Sequence, residues 1–129
     1  HLDALSVAIK TNEDITRIFK TLVLLNEKKE MIVACIPGLE KLDLKKLAKI
    51  SGSKKVEMLP MKDLFSMTGY LRGGCSPIAI KKRHTAFIHN SATDNETILI
   101  SGGLRGLQIE ISPQKLIDYL NLKVADIIE

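Results

Sequence analysis

The spacing of apolar positions changes several times along the chain, and each change marks an element. Residues 4–10 place Leu5, Ala8 and Ile9 on one side at helical spacing, and 11–14 read as a break and a fresh cap. Residues 17–25 are extended in character, with Thr21, Leu22, Val23, Leu24 and Leu25 as an apolar run. A charged turn at 26–30 and an apolar return over 31–36 predict an antiparallel hairpin. Cys35 falls inside the return strand and reads as a small core residue. Pro37 and Gly38 end that strand. Asp43 then caps a helix, with Leu44, Leu47, Ala48 and Ile50 turned inward and Lys45, Lys46 and Lys49 outward, until Gly52 stops it.

Residues 54–58 predict a short strand. Pro60 opens a second helix through Met67, with Leu64 and Met67 as its buried positions, and Gly69 stops it. Residues 85–88 form a strand and 90–95 a polar turn. Two further strands, 97–101 and 107–111, are joined by a glycine turn. In the second of these Leu107, Ile109 and Ile111 alternate with Gln108 and Glu110, so Gln108 faces away from the apolar side. Ser112 caps the last helix with Pro113 at its first position, and Leu116, Ile117 and Leu120 point inward. Residues 124–127 read as a closing strand. Strands and helices in this order predict a mixed α/β or α+β domain. The chain shows no internal repeat, low-complexity tract or linker.

Composition narrows the classes. The 129 residues suit one domain spanning 1–129. Apolar residues make up 45%, with three Phe, two Tyr and no Trp, so the core is expected to be aliphatic. No apolar run approaches the ~20 residues that span a bilayer, and no signal-peptide pattern opens the sequence. Cys35 and Cys75 fit no CxxC spacing, which predicts a reduced, cytoplasmic setting. The net charge of +4 permits a polyanionic partner without demanding one. The two Cys and three His lack zinc spacing, and no phosphate-loop or dinucleotide fingerprint is present, so no metal and no cofactor are expected.

The candidate chemistry lies in Thr68-Gly69-Tyr70-Leu71-Arg72-Gly73-Gly74-Cys75-Ser76-Pro77. Glycines here let the backbone take positive φ or approach a ligand, and successive amides form a concave nest for an anion or carbonyl. Ser76, ahead of Pro77, is pushed towards an extended conformation. A second cluster, Ser101-Gly102-Gly103-Leu104-Arg105-Gly106-Leu107, strengthens the pattern. Lys20, between Phe19 and an apolar strand, is either an exposed strand-end lysine or an ammonium against a pocket wall, where desolvation lowers its pKa. Ser76 and Cys75 invite a covalent mechanism, but no histidine has a recognisable partner motif, and His84 and His89 read as surface residues. Arg72, Lys81, Lys82, Arg83, Arg105 and the Lys45/Lys46/Lys49 face are either solvated surface or contacts for nucleic-acid phosphates.

In chain order, Phe19-Lys20-Thr21-Leu22, residues 43–49, Lys54-Lys55-Val56-Glu57-Met58, Thr68-Gly69-Tyr70-Leu71, Gly73-Gly74 with Ser76-Pro77, Lys81-Lys82-Arg83, Ser101-Gly102-Gly103, Arg105-Gly106-Leu107 and residues 124–127 resemble the YbaK family. These are freestanding aminoacyl-tRNA deacylases related to the editing domain inserted in bacterial prolyl-tRNA synthetases. The resemblance implies an α+β fold: a single domain with a mixed, curved, partly closed sheet surrounded by helices. It implies hydrolysis of mischarged tRNA in trans, with Cys-tRNA(Pro) favoured and Ala or Ser as other acyl groups. It implies that deacylation depends on Lys20, which helps hold the terminal adenosine and the ester. Gly73 and Gly74 would offer backbone amides to the acyl carbonyl. Thr21, Tyr70, Ser76, Pro77, Ser101, Gly102, Gly103 and Gln108 would line the substrate site. Arg72, Lys81, Lys82 and Arg83 would meet the tRNA(Pro) 3′ end, with prolyl-tRNA synthetase as a further partner. The substrate's own thiol, or water, would be the nucleophile. Two departures stand out: an N-terminal stretch with a strand and a tyrosine has no counterpart here, and Gln108 replaces an aspartate. Both leave a non-catalytic module that binds tRNA ends or a synthetase as the alternative.

Overall fold

Two apolar runs, 21–25 and 31–36, on either side of a charged turn build the centre of the molecule. The computed structural model describes residues 15–129; the helix expected at 4–10 and the break at 11–14 lie outside the described residues. Strands β1 (Phe19–Asn26) and β2 (Met31–Pro37) pair antiparallel, from Leu25↔Met31 at the turn to Phe19↔Pro37 at the open end. Asn26 makes the turn by accepting the Lys28 and Glu30 amides at its side-chain oxygen, each at 2.9 Å. The chain then supplies helix α1 (Leu44–Ile50), strand β3 (Val56–Met58), a 3-10 turn (Met61–Asp63) and helix α2 (Leu64–Thr68). Strand β4 (His84–His89), a 3-10 turn (Asn90–Asp94), the hairpin β5 (Ile98–Ser101) and β6 (Gln108–Ile111), helix α3 (Pro113–Leu120) and strand β7 (Lys123–Ala125) complete it.

The main sheet runs β3-β1-β2-β4-β7. β3 is antiparallel to β1, whereas β4 and β7 are parallel additions, so the sheet is mixed as expected. It is open, with β3 and β7 at its ends, and is not a closed barrel. The β5–β6 hairpin meets the outer edge of β1 through a parallel bridge between Ile18 and Leu99.

Both faces of the sheet are covered, which is why β2 is buried from Met31 to Ile36 instead of alternating. Phe19, Val23, Val33, Cys35 and Ile88 pack on one face with Ile98, Ile100 and Leu116. Leu24, Ile32, Ala34, Ile36 and Phe87 pack on the other with Leu47 and Ile127. Each such aliphatic side chain removed from water contributes about 1.5–3 kcal/mol. The core is aliphatic, as composition implied.

Several expectations shift. Arg17 belongs to a 3-10 turn (Ile15–Arg17) and β1 starts at Phe19. α1 has only two turns, so Leu47 and Ala48 reach the core while Leu44 and Ile50 stay exposed. Lys46 does not merely face water: its Nζ bonds the Asp126 carboxylate at 3.0 Å and the Ile128 carbonyl at 2.8 Å, tying α1 to the C-terminal segment. The helix expected from Pro60 is split between a 3-10 turn and α2. The polar segment after β4 folds around the buried Ala92 as a 3-10 turn. β7 ends at Ala125, two residues before its expected end. Leu107 and Ile109 are exposed because β6 pairs only with β5 and nothing described covers its outer side. Among the described residues no helix is long and apolar enough to cross a membrane.

Candidate active site

The site grows from an interruption in the pairing of β1. Its inner edge pairs with β2 throughout. On its outer edge β3 covers Leu24 to Asn26, the Leu59 amide reaches the Val23 carbonyl at 3.0 Å, and β5 touches only at Ile18. Among the described residues the outer edge between these contacts, from Phe19 to Leu22, carries no strand partner.

Register fixes which side chains flank that gap. Counting two residues along each chain from the Ile18↔Leu99 bridge reaches Lys20 and Ser101 on the same side of the sheet. Ser101 is paired in turn with Gln108. Lys20, Ser101 and Gln108 therefore form one polar row across β1, β5 and β6, each half-buried. One step back, Arg17 holds the row's flank by bonding Glu110 at 2.5 Å and the Thr97 hydroxyl at 2.6 Å. Burial lowers the Lys20 pKa from its ordinary value, against an opposing pull from the nearby Glu40 carboxylate. Glu40 lies in the loop after β2, where no sequence pattern marked it.

The two glycine clusters meet directly. A Cβ on Gly74 would lie 3.1 Å from the Arg105 nitrogen and 3.2 Å from the Gly103 oxygen. A Cβ on Gly103 would lie 3.1 Å from the Tyr70 ring, so only glycine permits this approach. Tyr70 hydrogen-bonds the Ile78 carbonyl through its hydroxyl, closing the 70–78 loop on itself. The Ser101 hydroxyl accepts the Gly103 amide at 3.1 Å, which couples the polar row to the second glycine turn.

The donors need reassignment. The Gly74 amide is already donated to the Leu71 carbonyl at 2.9 Å, and the Gly102 amide to the Leu107 carbonyl at 2.8 Å. Neither is free to meet an acyl oxygen. Gly73 and Cys75 amides have no acceptor among the described residues, so the usable donors flank Gly74. Ser76 is buried, and its hydroxyl accepts the Ile78 amide at 3.2 Å. With Pro77, also buried, it shapes the loop from behind instead of lining an open surface. Thr21 points to the opposite sheet face from Lys20, with its hydroxyl 3.9 Å from the Cys35 sulfur.

Neither thiol is poised to react. Burial pushes Cys35 up to about 12 and Cys75 up to about 11, so both are protonated at neutral pH. His89 is buried, not a surface residue: its Nδ1 accepts the Ile127 amide at 3.3 Å, and burial lowers its pKa. That bond anchors the C-terminal segment against β4. His84 is half-buried, its Nδ1 2.7 Å from the Lys82 carbonyl.

The basic residues divide. Arg72 and Arg105 are exposed on the two glycine turns. Lys81, Lys82 and Arg83 are exposed too, but they enter β4 beside Met31, while Lys20 lies opposite Ile36. Five residues of β2 separate those levels, about 17 Å.

Comparison with known proteins agrees with this architecture. The aminoacyl-tRNA editing domain family matches residues 3–119. A protein of Enterococcus faecalis, named EbsC and described as a Cys-tRNA(Pro)/Cys-tRNA(Cys) deacylase, is 50% identical over 98% of this chain and 77% of its own length. A solved structure described as a trans-editing enzyme for prolyl-tRNA synthetase superposes with a TM-score of 0.88 at 22% identity, covering 98% of this chain and 79% of that one. Another, of a hypothetical protein, gives 0.92 at 23% identity, covering 98% and 84%. At those identities the two structures speak for the fold. The length of the family match and the half-identical relative settle the membership: this chain belongs to the aminoacyl-tRNA editing domain family.

Proposed function

We propose that the protein is a deacylase that hydrolyses mischarged aminoacyl-tRNA in trans, with cysteine on tRNA(Pro) as the favoured substrate. Family membership and the name of the Enterococcus faecalis relative support the reaction class. The observation that carries the site is the bare edge of β1 between β3 and β5, with Ser101 of the polar row hydrogen-bonded to the second glycine turn and that turn packed on the first. The terminal adenosine enters at the open edge of β1. The Lys20 ammonium, partly desolvated, orients the ester and the ribose. Amides of Gly73 and Cys75 face the acyl oxygen and stabilise the negative charge that develops there.

For a cysteinyl substrate, the substrate sulfur bonds to its own carbonyl carbon. The ester C–O bond then breaks, and the tRNA hydroxyl oxygen leaves with the proton. Other acyl groups are attacked by water. The protein supplies position and charge stabilisation, which suffices when the nucleophile is already tethered. The tRNA comes from prolyl-tRNA synthetase, the enzyme that mischarges it, and the reaction takes place in the cytoplasm. Gln108 favours a second reading: without the carboxylate that the family resemblance implies at this position, the same surface would bind the tRNA end or the synthetase and leave the ester intact.

The test is deacylation of Cys-, Ala- and Ser-tRNA(Pro) by the wild type and by Lys20→Ala. The expected result is hydrolysis of the cysteinyl ester that falls about 10²–10³-fold in the variant, the range for losing one charge-stabilising group. Tight binding without hydrolysis of any of the three esters would establish the module instead.

A further inference from the structure

The two glycine clusters share more than glycine. Leu71-Arg72-Gly73-Gly74 and Leu104-Arg105-Gly106-Leu107 fold into the same turn. In each, the fourth residue's amide bonds the leucine carbonyl, at 2.9 Å in the first and 3.0 Å in the second. In each, the third residue is a glycine with φ of 84°. That combination, with arginine at the first central position and a positive-φ glycine at the next, is the chemistry of a type II turn. Each turn therefore raises its arginine at the same corner.

The twin turns are pressed together. The Arg105 side chain lies across the first turn, with its Nε 3.0 Å from where a Gly73 Cβ would sit. Its Nη2 donates to the Arg72 carbonyl at 3.4 Å. Two guanidinium-bearing turns are thus packed side by side, and neither arginine meets a carboxylate within ion-pair distance among the described residues. Two arginines on adjoining turns, neither paired with a carboxylate, leave cationic donors available to an anion at this rim. Leu71 and Leu104, exposed at 68% and 69%, flank the pair with apolar surface.

We propose that Arg72 and Arg105 form a two-pronged clamp for one phosphate of a nucleotide, with Leu71 and Leu104 against its ribose or base. Guanidinium forks suit a phosphate because their planar donors match its oxygens. The inference rests on the function proposed above. It names the phosphate as the one 5′ of the terminal adenosine, a ribose away from the ester. The same pair of turns then holds the acyl group on its inner side and the phosphate on its rim.

The test compares the cysteinyl ester of adenosine with that of adenosine 5′-monophosphate, in the wild type, Arg72→Ala, Arg105→Ala and the double variant. Binding of unacylated adenosine and adenosine 5′-monophosphate is measured alongside. The wild type should favour the phosphorylated form in KM and in binding by about 10- to 100-fold, the range for a charge-assisted contact. Each single variant should lose part of that preference and the double variant all of it, with the loss on the phosphorylated ester exceeding any loss on the adenosine ester. A wild type indifferent to the phosphate overturns the clamp and leaves the deacylase standing. Equal losses on both esters also overturn it, because they mark the arginines as structural. Phosphate preference in binding, without hydrolysis of either ester, upholds the clamp and removes the deacylase.

Discussion

Replacing Gly74 by alanine tests whether contact between the glycine turns sets the geometry of the site. The added Cβ would fall 3.1 Å from the Arg105 nitrogen, 3.2 Å from the Gly103 oxygen and 3.2 Å from the Leu104 carbonyl carbon. All three are backbone atoms, so no side chain can swing aside. The turns must separate by a few tenths of an ångström, and overpacking of this kind costs about 1–3 kcal/mol. With an unfolding entropy of about 2.1 cal/mol/K per residue over 129 residues, that lowers Tm by roughly 4–11 °C. The same movement displaces the Gly73 and Cys75 amides relative to Lys20. Misplacement of reacting groups on the scale of an ångström costs about 10²-fold, so a smaller displacement should lower kcat/KM by about ten- to a hundredfold. Gly52→Ala is the control. It adds a side chain at φ +72° in open space on the far side of α1, which strains the backbone by roughly 1 kcal/mol and touches no part of the site. Thermal melts and cysteinyl-tRNA deacylation at a temperature well below either Tm would be measured for both. If Gly74→Ala melts early yet keeps kcat/KM within twofold of the wild type, contact between the turns does not govern the site.

Two further outcomes follow from the charges. Burial disfavours the charged form of Lys20, so if the ammonium is the working species, enzymatic kcat/KM should fall on the alkaline side at a pH below the ordinary lysine value of 10.5; Lys20→Arg should remove that limb, and an identical limb in the variant would assign it elsewhere. His89 has a folded-state pKa below its unfolded 6.5, so the unfolded chain binds more protons between the two values. Stability should therefore be full above pH 6.5 and decline as pH falls through that window, whereas His89→Asn should melt at a Tm that is flatter over the same range; parallel curves would exclude His89 as the cause.

The chain's own order of residues determined much of this protein. Apolar runs over 21–25 and 31–36 set the central hairpin, because a strand buried on both faces leaves a continuous apolar run on either side of a polar turn. Asp43 and Ser112 marked helix starts, since a side-chain oxygen beside orphan amides is a local interaction, and both accept the expected amide. The glycine clusters were visible as places where backbone would approach something. What they approach was not: Gly74 against Gly103, and Arg105 across Gly73, join positions some thirty residues apart in sequence. The triplet Leu-Arg-Gly occurs twice in the sequence, but it acquires meaning only when tertiary packing sets the two turns side by side. The alignment of Lys20 with Ser101 and Gln108 likewise depends on one bridge between Ile18 and Leu99, a pairing no local pattern encodes. Burial of His89 and commitment of the Gly74 amide were decided the same way. Local signals fix where the backbone turns and which face is apolar, because those depend on neighbours a few residues away. Which polar groups stay unpaired and face one another depends on contacts between distant segments, and only the folded chain settles those.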